Sequence, residues 1–410
     1  MNTTILTPTT PTTPTTSTMS ARQITNAALR TAGSSGGQLL TVANREWMNR
    51  PADERFTTLE ALADSVNARR KLSRSADVRL ADLRLSINGG GQLIANSTIA
   101  PATPSHWGFG QLSGLVGAPA NYLRGLGDPE LVARNLNRSL EKAEKARETM
   151  KVMTVLDEDG GEVNTLQAVT SRTYGRIWDA DCVAAVQRIV ERSGGKFHNP
   201  KDWSGTPSGL YASDHDVFMF MVDGGSMVDG GSARDQLHRG FIVWNSETGA
   251  KTFGLMTFLF RVVCGNHLIW GAEDVTRLMI RHTSGGPTRF DTDAMPALEA
   301  YAQGSEKPVQ DQIARAKSIR LITLVNLPGQ TVDANPLDST DWIRGFAKKY
   351  GFTAPEVRSA LQFARAEEGQ CDNVWDMLNG LTASARAIEH MDTRLDLEKR
   401  AGALMDLAKN

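Results

Sequence analysis

Three apolar runs constrain this chain more than any other feature: residues 217–222, 241–244 and 253–263. The first has the continuous form of a strand buried on both faces. The other two flank NSETGAK (245–251), a turn-like segment, and the turn signal Cys264-Gly265-Asn266 follows at once. The chain is therefore expected to place hairpin strands at the centre of its core. Polar residues crowd these turns: Asn245, Ser246, Glu247, Cys264, Asn266 and His267. Arg261 sits inside an apolar run, where an arginine needs a buried partner or a wet groove. Glu247 is the candidate partner.

Immediately before the first run stand Asp214, His215 and Asp216, and overlapping its end is a tandem duplication, MVDGGS at 221–226 and again at 227–232. A repeat of two Gly-rich hexapeptides reads as a tolerated expansion of a surface loop. Neither a P-loop lysine nor a helix start follows it, so it carries no phosphate-cradling signal.

Elsewhere the pattern alternates between helix and strand. Residues 1–37 are a Thr/Pro tract closed by GSSGG, expected to be disordered. Phe56, Leu59, Leu62 and Val66 have helical spacing, and residues 69–84 are rich in arginine. Residues 106–126 read as a helix, a Gly/Pro break and a second short helix. Asp128-Pro129-Glu130 starts another helix. Its apolar face is Val132, Leu136, Leu140 and Ala143; Arg134, Arg138, Lys142 and Lys145 form a solvated face opposite, diluted by glutamates. Strand-like runs at 152–156 and 166–169 precede a loop in which Arg172, Tyr174, Arg176 and Trp178 interleave cations with aromatics. That composition suits stacking on bases and pairing with phosphates, and equally an arginine packed on a core aromatic. A helix is expected at 181–191.

The last hundred residues turn helical. Trp342, Phe346 and Tyr350 repeat every four residues, and Thr353-Ala354-Pro355-Glu356 is a capping box. The two helices around Gly351 have helix-turn-helix spacing, with Arg344, Lys348, Lys349, Arg358 and Arg365 outside. A charged helix is expected at 392–408. The fold class is α+β: a mixed core with a mainly antiparallel sheet at 38–305, followed by a helical region at 306–410.

Formal net charge is −1, so any nucleic-acid contact must use local basic patches. The three cysteines are scattered and odd in number, which fits a reducing cytoplasm. No apolar run approaches the ~20 residues needed to span a bilayer. Cys264 and His267 have the spacing of half a zinc site, but no second half follows. Asp214 and Asp216, with Glu247 or Glu273, could hold a divalent ion for a metal-dependent nuclease. No dinucleotide fingerprint or nucleophile elbow is present, and no cofactor is expected.

The motifs HWGFGQL (106–112), GAPANYLRGL (117–126), SRTYGRIWDAD (171–181), SDHDVFMFMVD (213–223) and the run from RGFIVWNSETG to CGNHLIWGAEDV (239–275) resemble the phage- and plasmid-like proteins that carry domain of unknown function 932. The likeness covers about residues 38–300, and residues 379–405 are similar to the tail of longer members. The duplication and the Thr/Pro tail depart from the pattern. The resemblance implies a cytoplasmic protein of a mobile element and brings no catalytic mechanism.

The expected function is a non-enzymatic nucleic-acid-binding protein that acts on single-stranded DNA in replication or recombination, with homo-oligomers allowed and no membrane or metal. Its candidate contacts are Arg172, Tyr174 and Arg176, with a polar cluster of Arg239, Lys251, Arg261, Asn266 and His267. The alternatives are the nuclease and a structural or host-interference protein without nucleic-acid contact.

Overall fold

The computed structural model describes residues 50–408 apart from 99, 143–147, 157–162, 201–205, 230–235, 264–265, 271–276, 305–306, 326–335, 386, 389–396 and 398–399. The expected disordered tail at 1–37 lies outside the described residues.

The first half of the chain builds a small sheet. After a two-residue strand β1 (Arg55–Phe56) and helix α1 (Leu59–Leu72) come strands β2 (Ser73–Arg79), β3 (Arg84–Ile87), β4 (Leu93–Asn96) and β5 (Ala102–Pro104). Helices α2 (His106–Leu115), α3 (Ala120–Gly125) and α4 (Pro129–Lys142) follow, then β6 (Thr149–Val155) and β7 (Asn164–Ser171). The strands order as β2-β6-β7-β5-β4-β3, antiparallel except for β5 beside β7. Helices α2 and α4 bury Phe109, Leu112, Val132, Leu136 and Leu140 together with Val78, Val152 and Leu166. Gly108 makes this close approach workable: a Cβ there would collide with the Leu166 carbonyl oxygen. Arg134 and Arg138 face solvent, as the periodicity requires.

The large sheet begins after α5 (Asp179–Arg192). It contains β8 (Phe197–His198), β9 (Leu210–Ala212), β10 (Val217–Asp229), β11 (Gln236–Asn245), β12 (Phe253–Val263), β13 (Asn266–Trp270) and β14 (Arg277–Ile280). The main path is β1-β9-β10-β11-β12-β13, all antiparallel, with β14 also on β12 and β8 on β10. Strand β10 is buried on both faces, as its unbroken apolar run predicts. Val217, Met219 and Met221 join one core with α1, α5 and α6 (Met295–Gln303). Phe218, Phe220 and Val222 pack on the other face with Tyr211, Ile242, Trp244 and Met256. The fold is thus α+β with mainly antiparallel pairing, divided between two sheets rather than gathered in one.

The duplication is not the surface loop expected of it. Met227, Val228 and Asp229 pair with His238, Leu237 and Gln236, beyond a register shift that opens after Val222. The second hexapeptide therefore extends the β10–β11 hairpin. Between the Val222–Gly240 and Met227–His238 pairs β10 has four residues where β11 has one, and this Gly-rich irregularity is where the ladder resets its register before pairing resumes.

Helices α7 (Lys307–Ser318), α8 (Thr340–Tyr350), α9 (Ala354–Glu368) and α10 (Val374–Ala385) share a separate apolar core around Trp342, Phe346, Val357, Leu361, Trp375 and Leu378. The capping box at Thr353 and Glu356 forms as read. Of the charged helix expected at 392–408, residues 392–396 and 398–399 lie outside the described residues; 397 and 400–402 are helical as expected, and Ala403–Ala408 is 3-10 helix.

Candidate nucleic-acid groove and the network behind it

The NSETGAK segment joins β11 to β12, and its first four residues are buried rather than displayed. Asn245, Ser246 and Thr248 are fully enclosed and Glu247 nearly so. Gly249 takes a φ of 89°, which lets the chain reverse without a side-chain penalty. The Ser246 hydroxyl accepts from the Ala250 amide at 2.8 Å and donates to the His215 carbonyl at 2.6 Å. The Thr248 carbonyl accepts from Trp107 Nε1 at 3.3 Å and from Gln111 Nε2 at 2.8 Å. Gln111 in turn accepts from the Val169 amide at 2.9 Å. The HWGFGQL motif is thereby the element that docks α2 of the small sheet onto a turn of the large one.

Behind the turn lies a set of buried charges. Arg69, from the last turn of α1, places Nη2 2.8 Å from Asp179 Oδ2 and Nε 3.1 Å from Glu247 Oε1, the latter contact poorly aligned for a hydrogen bond. Asn245 Nδ2 donates to Asp179 Oδ1 and to the Ile177 carbonyl, both at 2.8 Å. Glu247 Oε2 accepts from the Asp179 amide at 3.1 Å, at the start of α5. Two carboxylates thus share one guanidinium. Burial, then the neighbouring Glu247 charge, pushes the Asp179 carboxyl up to about 7, against the pull of Arg69 and Asn245. This corrects the expectation for Glu247: its cation is Arg69, not Arg261. Arg261 pairs in register with Leu237, seven residues along β12 from Gly254 (254 to 261), about 24 Å from the turn at a strand's rise per residue.

The loop after β7 packs against the same turn. Tyr174 donates its hydroxyl to the Ser246 carbonyl at 2.9 Å and stacks its ring on His282, 4.9 Å between centroids. Burial raises the Tyr174 phenol and lowers the His282 imidazole to about 4, so both are neutral at pH 7. Arg176 donates to the Glu247 carbonyl and is 9% exposed; its Nη2 is buried without a hydrogen-bond partner among the described residues. Gly175 allows the tight approach, since a Cβ would collide with the Thr283 carbonyl oxygen. The stacking platform read for Tyr174 is therefore already in use: the ring faces inward and its partner is His282.

The outer side of the loop is different. Arg172 is 72% exposed, its Nε 3.6 Å from Asp77 Oδ2. Between this loop and the β2 edge of the small sheet runs an open groove of about 400 Å³, lined by Ser75, Ala76, Asp77, Lys151, Arg176 and Trp178. The Trp178 ring has Arg70 at 5.0 Å and Arg176 at 5.4 Å. Lys151 Nζ donates to the Tyr174 carbonyl at 2.8 Å, and Arg70 pairs with Asp181. Four cations and an indole so surround a cleft that holds or borders two carboxylates.

The polar cluster expected around Lys251 does not assemble. Lys251 lies at the buried turn and holds Asp216 Oδ2 at 2.8 Å. Arg239 is buried at the far end of the hairpin, 3.3 Å from Asp223 and 5.2 Å over the Tyr301 ring. Asn266 and His267 pair with Val263 and Val262 at that same end. The side chains of Arg261, Asn266 and His267, and Cys264 altogether, lie outside the described residues. A strand hairpin separates residues at its two ends by its whole length, however close they stand in a turn-rich sequence.

Asp216 is held by cations of the chain itself. Its carboxylate receives both Arg50 Nη atoms at 2.8 Å, the Ser213 hydroxyl at 2.8 Å and Lys251. Burial opposes ionisation there, but the Arg50 hydrogen bonds and the Lys251 charge outweigh it and hold the carboxyl well below the usual range. Asp214 pairs with His215 Nδ1 at 2.5 Å, and the imidazole stacks on Trp107 at 5.4 Å. A metal at Asp216 would have to displace Arg50 or Lys251. Among the described residues no three His, Cys, Asp or Glu side chains gather as a metal site.

Sequence reasoning missed Arg50, Arg69, Arg70, Lys151 and Asp179. The two arginines of α1 are visible in the sequence only as part of a basic stretch.

Residues 165–322 match the family model of domain of unknown function 932 (DUF932). The DUF932 segment supplies Tyr174, Arg176, Trp178, Asp179 and the Asn245–Lys251 turn. Residues ahead of it supply Arg69, Trp107 and Lys151, so both the network and the groove straddle its N-terminal boundary. Neither the curated proteins nor the solved structures give a match to the chain. No helix among the described residues is long and apolar enough to cross a membrane.

Proposed function

We propose that this protein binds single-stranded nucleic acid in the groove between β2 and the 172–178 loop, without cutting it. One observation carries the reading: an open cleft of about 400 Å³ is lined by Lys151, Trp178 and an edge of the mostly buried Arg176, with Arg70 against Trp178 and Arg172 beside the lining Asp77 at its border. In a chain of formal net charge −1, cations gathered beside an aromatic are what a phosphodiester strand with exposed bases would select. Guanidinium planes can pair with phosphate and stack on a base at once. Trp178 takes the place of Tyr174 as the groove's aromatic, and Arg239 leaves the contact surface. A cytoplasmic setting and a replication or recombination role on a mobile element are parts of the proposal, supported by the resemblance to phage- and plasmid-like proteins.

The cation-filled Asp216 favours a binder over the nuclease. Titration of labelled single strands over a range of salt, with and without magnesium, tests both. The proposal expects salt-sensitive binding and intact DNA. Absence of binding at low salt refutes the groove, and magnesium-dependent products refute the non-enzymatic reading.

A further inference from the structure

Outside the groove, the most complete unassigned feature is the α8–α9 pair. Helix α8 ends at Gly351, whose φ of 74° reverses the chain, and α9 starts three residues later behind the Thr353 cap. Phe352 stacks on Phe346 at 6.2 Å and so ties the turn to the core. Arg400 holds the turn from outside: Nη1 donates to the Gly351 carbonyl at 2.9 Å and Nη2 to Glu356 at 2.8 Å. Helix α9 packs along α10, where Gly380 meets the Ala360 carbonyl, but touches α8 over a far shorter stretch. The short α8–α9 contact and the tight glycine turn are what a helix-turn-helix pair shows, rather than two helices packed along their whole length.

Both helices bury one side and leave the other uncovered. Trp342, Ile343 and Phe346 of α8 and Val357, Ala360, Leu361 and Ala364 of α9 fill the helical core. Arg344, Lys348 and Lys349 of α8 are exposed, and so are Pro355, Arg358, Gln362 and Ala366 of α9. The nearby acids are largely spent on the fold itself: Glu356 is paired with Arg400 and Asp338 with Arg365. Asp341 stands exposed at the start of α8, while Glu367, near the end of α9, is half-buried and makes a contact of its own. Among the described residues the open face therefore carries Arg344, Lys348, Lys349 and Arg358 against Asp341, Lys349 also donating to the Leu324 carbonyl at 2.9 Å, with a glutamine between Arg358 and the far end.

We propose that α8 and α9 are a duplex-DNA-binding helix-turn-helix, with α9 entering the major groove and α8 crossing the backbone. The charge of the face matches a duplex and not a neutral or basic partner. A helix of about 10–12 Å diameter fits a groove about 12 Å wide. The α9 stripe presents Arg358 and Gln362, types whose donors and acceptors match the edges of guanine and adenine. Arg344 and Lys348 are placed to meet phosphates. This second site is independent of the single-strand groove, which lies on other elements.

The test uses the full chain and two probes, a short blunt duplex and a single strand of the same sequence. The triple variant Arg344→Ala, Lys348→Ala, Arg358→Ala should bind the duplex at least about tenfold more weakly, a loss of about 1.4 kcal/mol. Its log–log salt slope should fall by about 1.8 if the two phosphates met by Arg344 and Lys348 are no longer neutralised, and single-strand affinity should stay unchanged. All three side chains are exposed, so the melting temperature should not move; Arg358→Gln alone supplies the readout if it does. No duplex binding by the native chain, or equal duplex binding by the variants, overturns the proposal. Parallel loss of duplex and single-strand binding also overturns it, because the helices would then serve the groove's own strand.

Discussion

The two sides of the 172–178 loop hold the same residue types and do opposite work. On the inner side, Tyr174 and Arg176 close onto the Asn245–Lys251 turn, and the charges there are matched by groups from other elements. On the outer side, Arg172 and Lys151 border a cleft open to water. What separates them is solvent. A guanidinium removed from water must be matched by carboxylates and carbonyls or it destabilises the fold, whereas one left in water retains its charge for a ligand. The polar motif that stands out most in the sequence, NSETGAK, is thus the mortar between two sheets, and the functional surface is on the plainer residues beside it.

If that division is right, changes on the inner side damage stability first. Glu247→Ala removes the carboxylate that faces Arg69 in a buried setting and should cost on the order of 3–5 kcal/mol in urea denaturation. A cost below about 1 kcal/mol would mean that water reaches the network. Asp179→Asn sharpens the same point through pH. The native carboxyl keeps its proton up to about pH 7, while the unfolded chain loses it near the ordinary 3.8. The unfolded state then binds fewer protons across that window, so this group's contribution to stability falls as pH rises through it. His282, lowered to about 4 from 6.5, acts with the opposite sign between those values. Subtracting the variant's melting profile from the native one isolates Asp179, and the difference should decline from pH 5 to pH 8; a flat difference contradicts a carboxyl raised by burial beside Glu247.

Deleting 227–232 probes the opposite end of the hairpin. Loss of the Met227–Asp229 pairing should cost about 1–2 kcal/mol, the worth of one or two net ladder hydrogen bonds; a silent deletion would return the second hexapeptide to the status of a loop. Tyr174→Phe is the smallest expected change inside, about 1 kcal/mol for leaving the Ser246 carbonyl without its donor.

Much of the fold is legible in the chain. The double-faced burial of β10 follows from an unbroken apolar run, the α4 stripe from its period, and the start of α9 from its capping box. The repeat misleads because Gly-rich sequence suggests a loop, while here an irregularity after Val222 resets the register and lets Met227–Asp229 pair again. The buried network is hidden for a different reason. Arg69 and Asp179 are 110 positions apart, and nothing local to α1 marks Arg69 as the cation for an acid at the head of α5. In sequence, Trp178 is only one member of an aromatic-rich loop. Its place in the groove depends on β2 and β6, which belong to the other sheet.

The central claim is that the outer side of the loop binds a strand. The double variant Lys151→Ala, Arg172→Ala tests it most directly, with single-strand affinity followed against salt in the full chain. The account predicts a melting temperature close to native, weaker binding at every salt concentration, and a log–log salt slope reduced by about 1.4, or ~0.7 for each phosphate no longer neutralised. Unchanged affinity and slope in a folded double variant would contradict it.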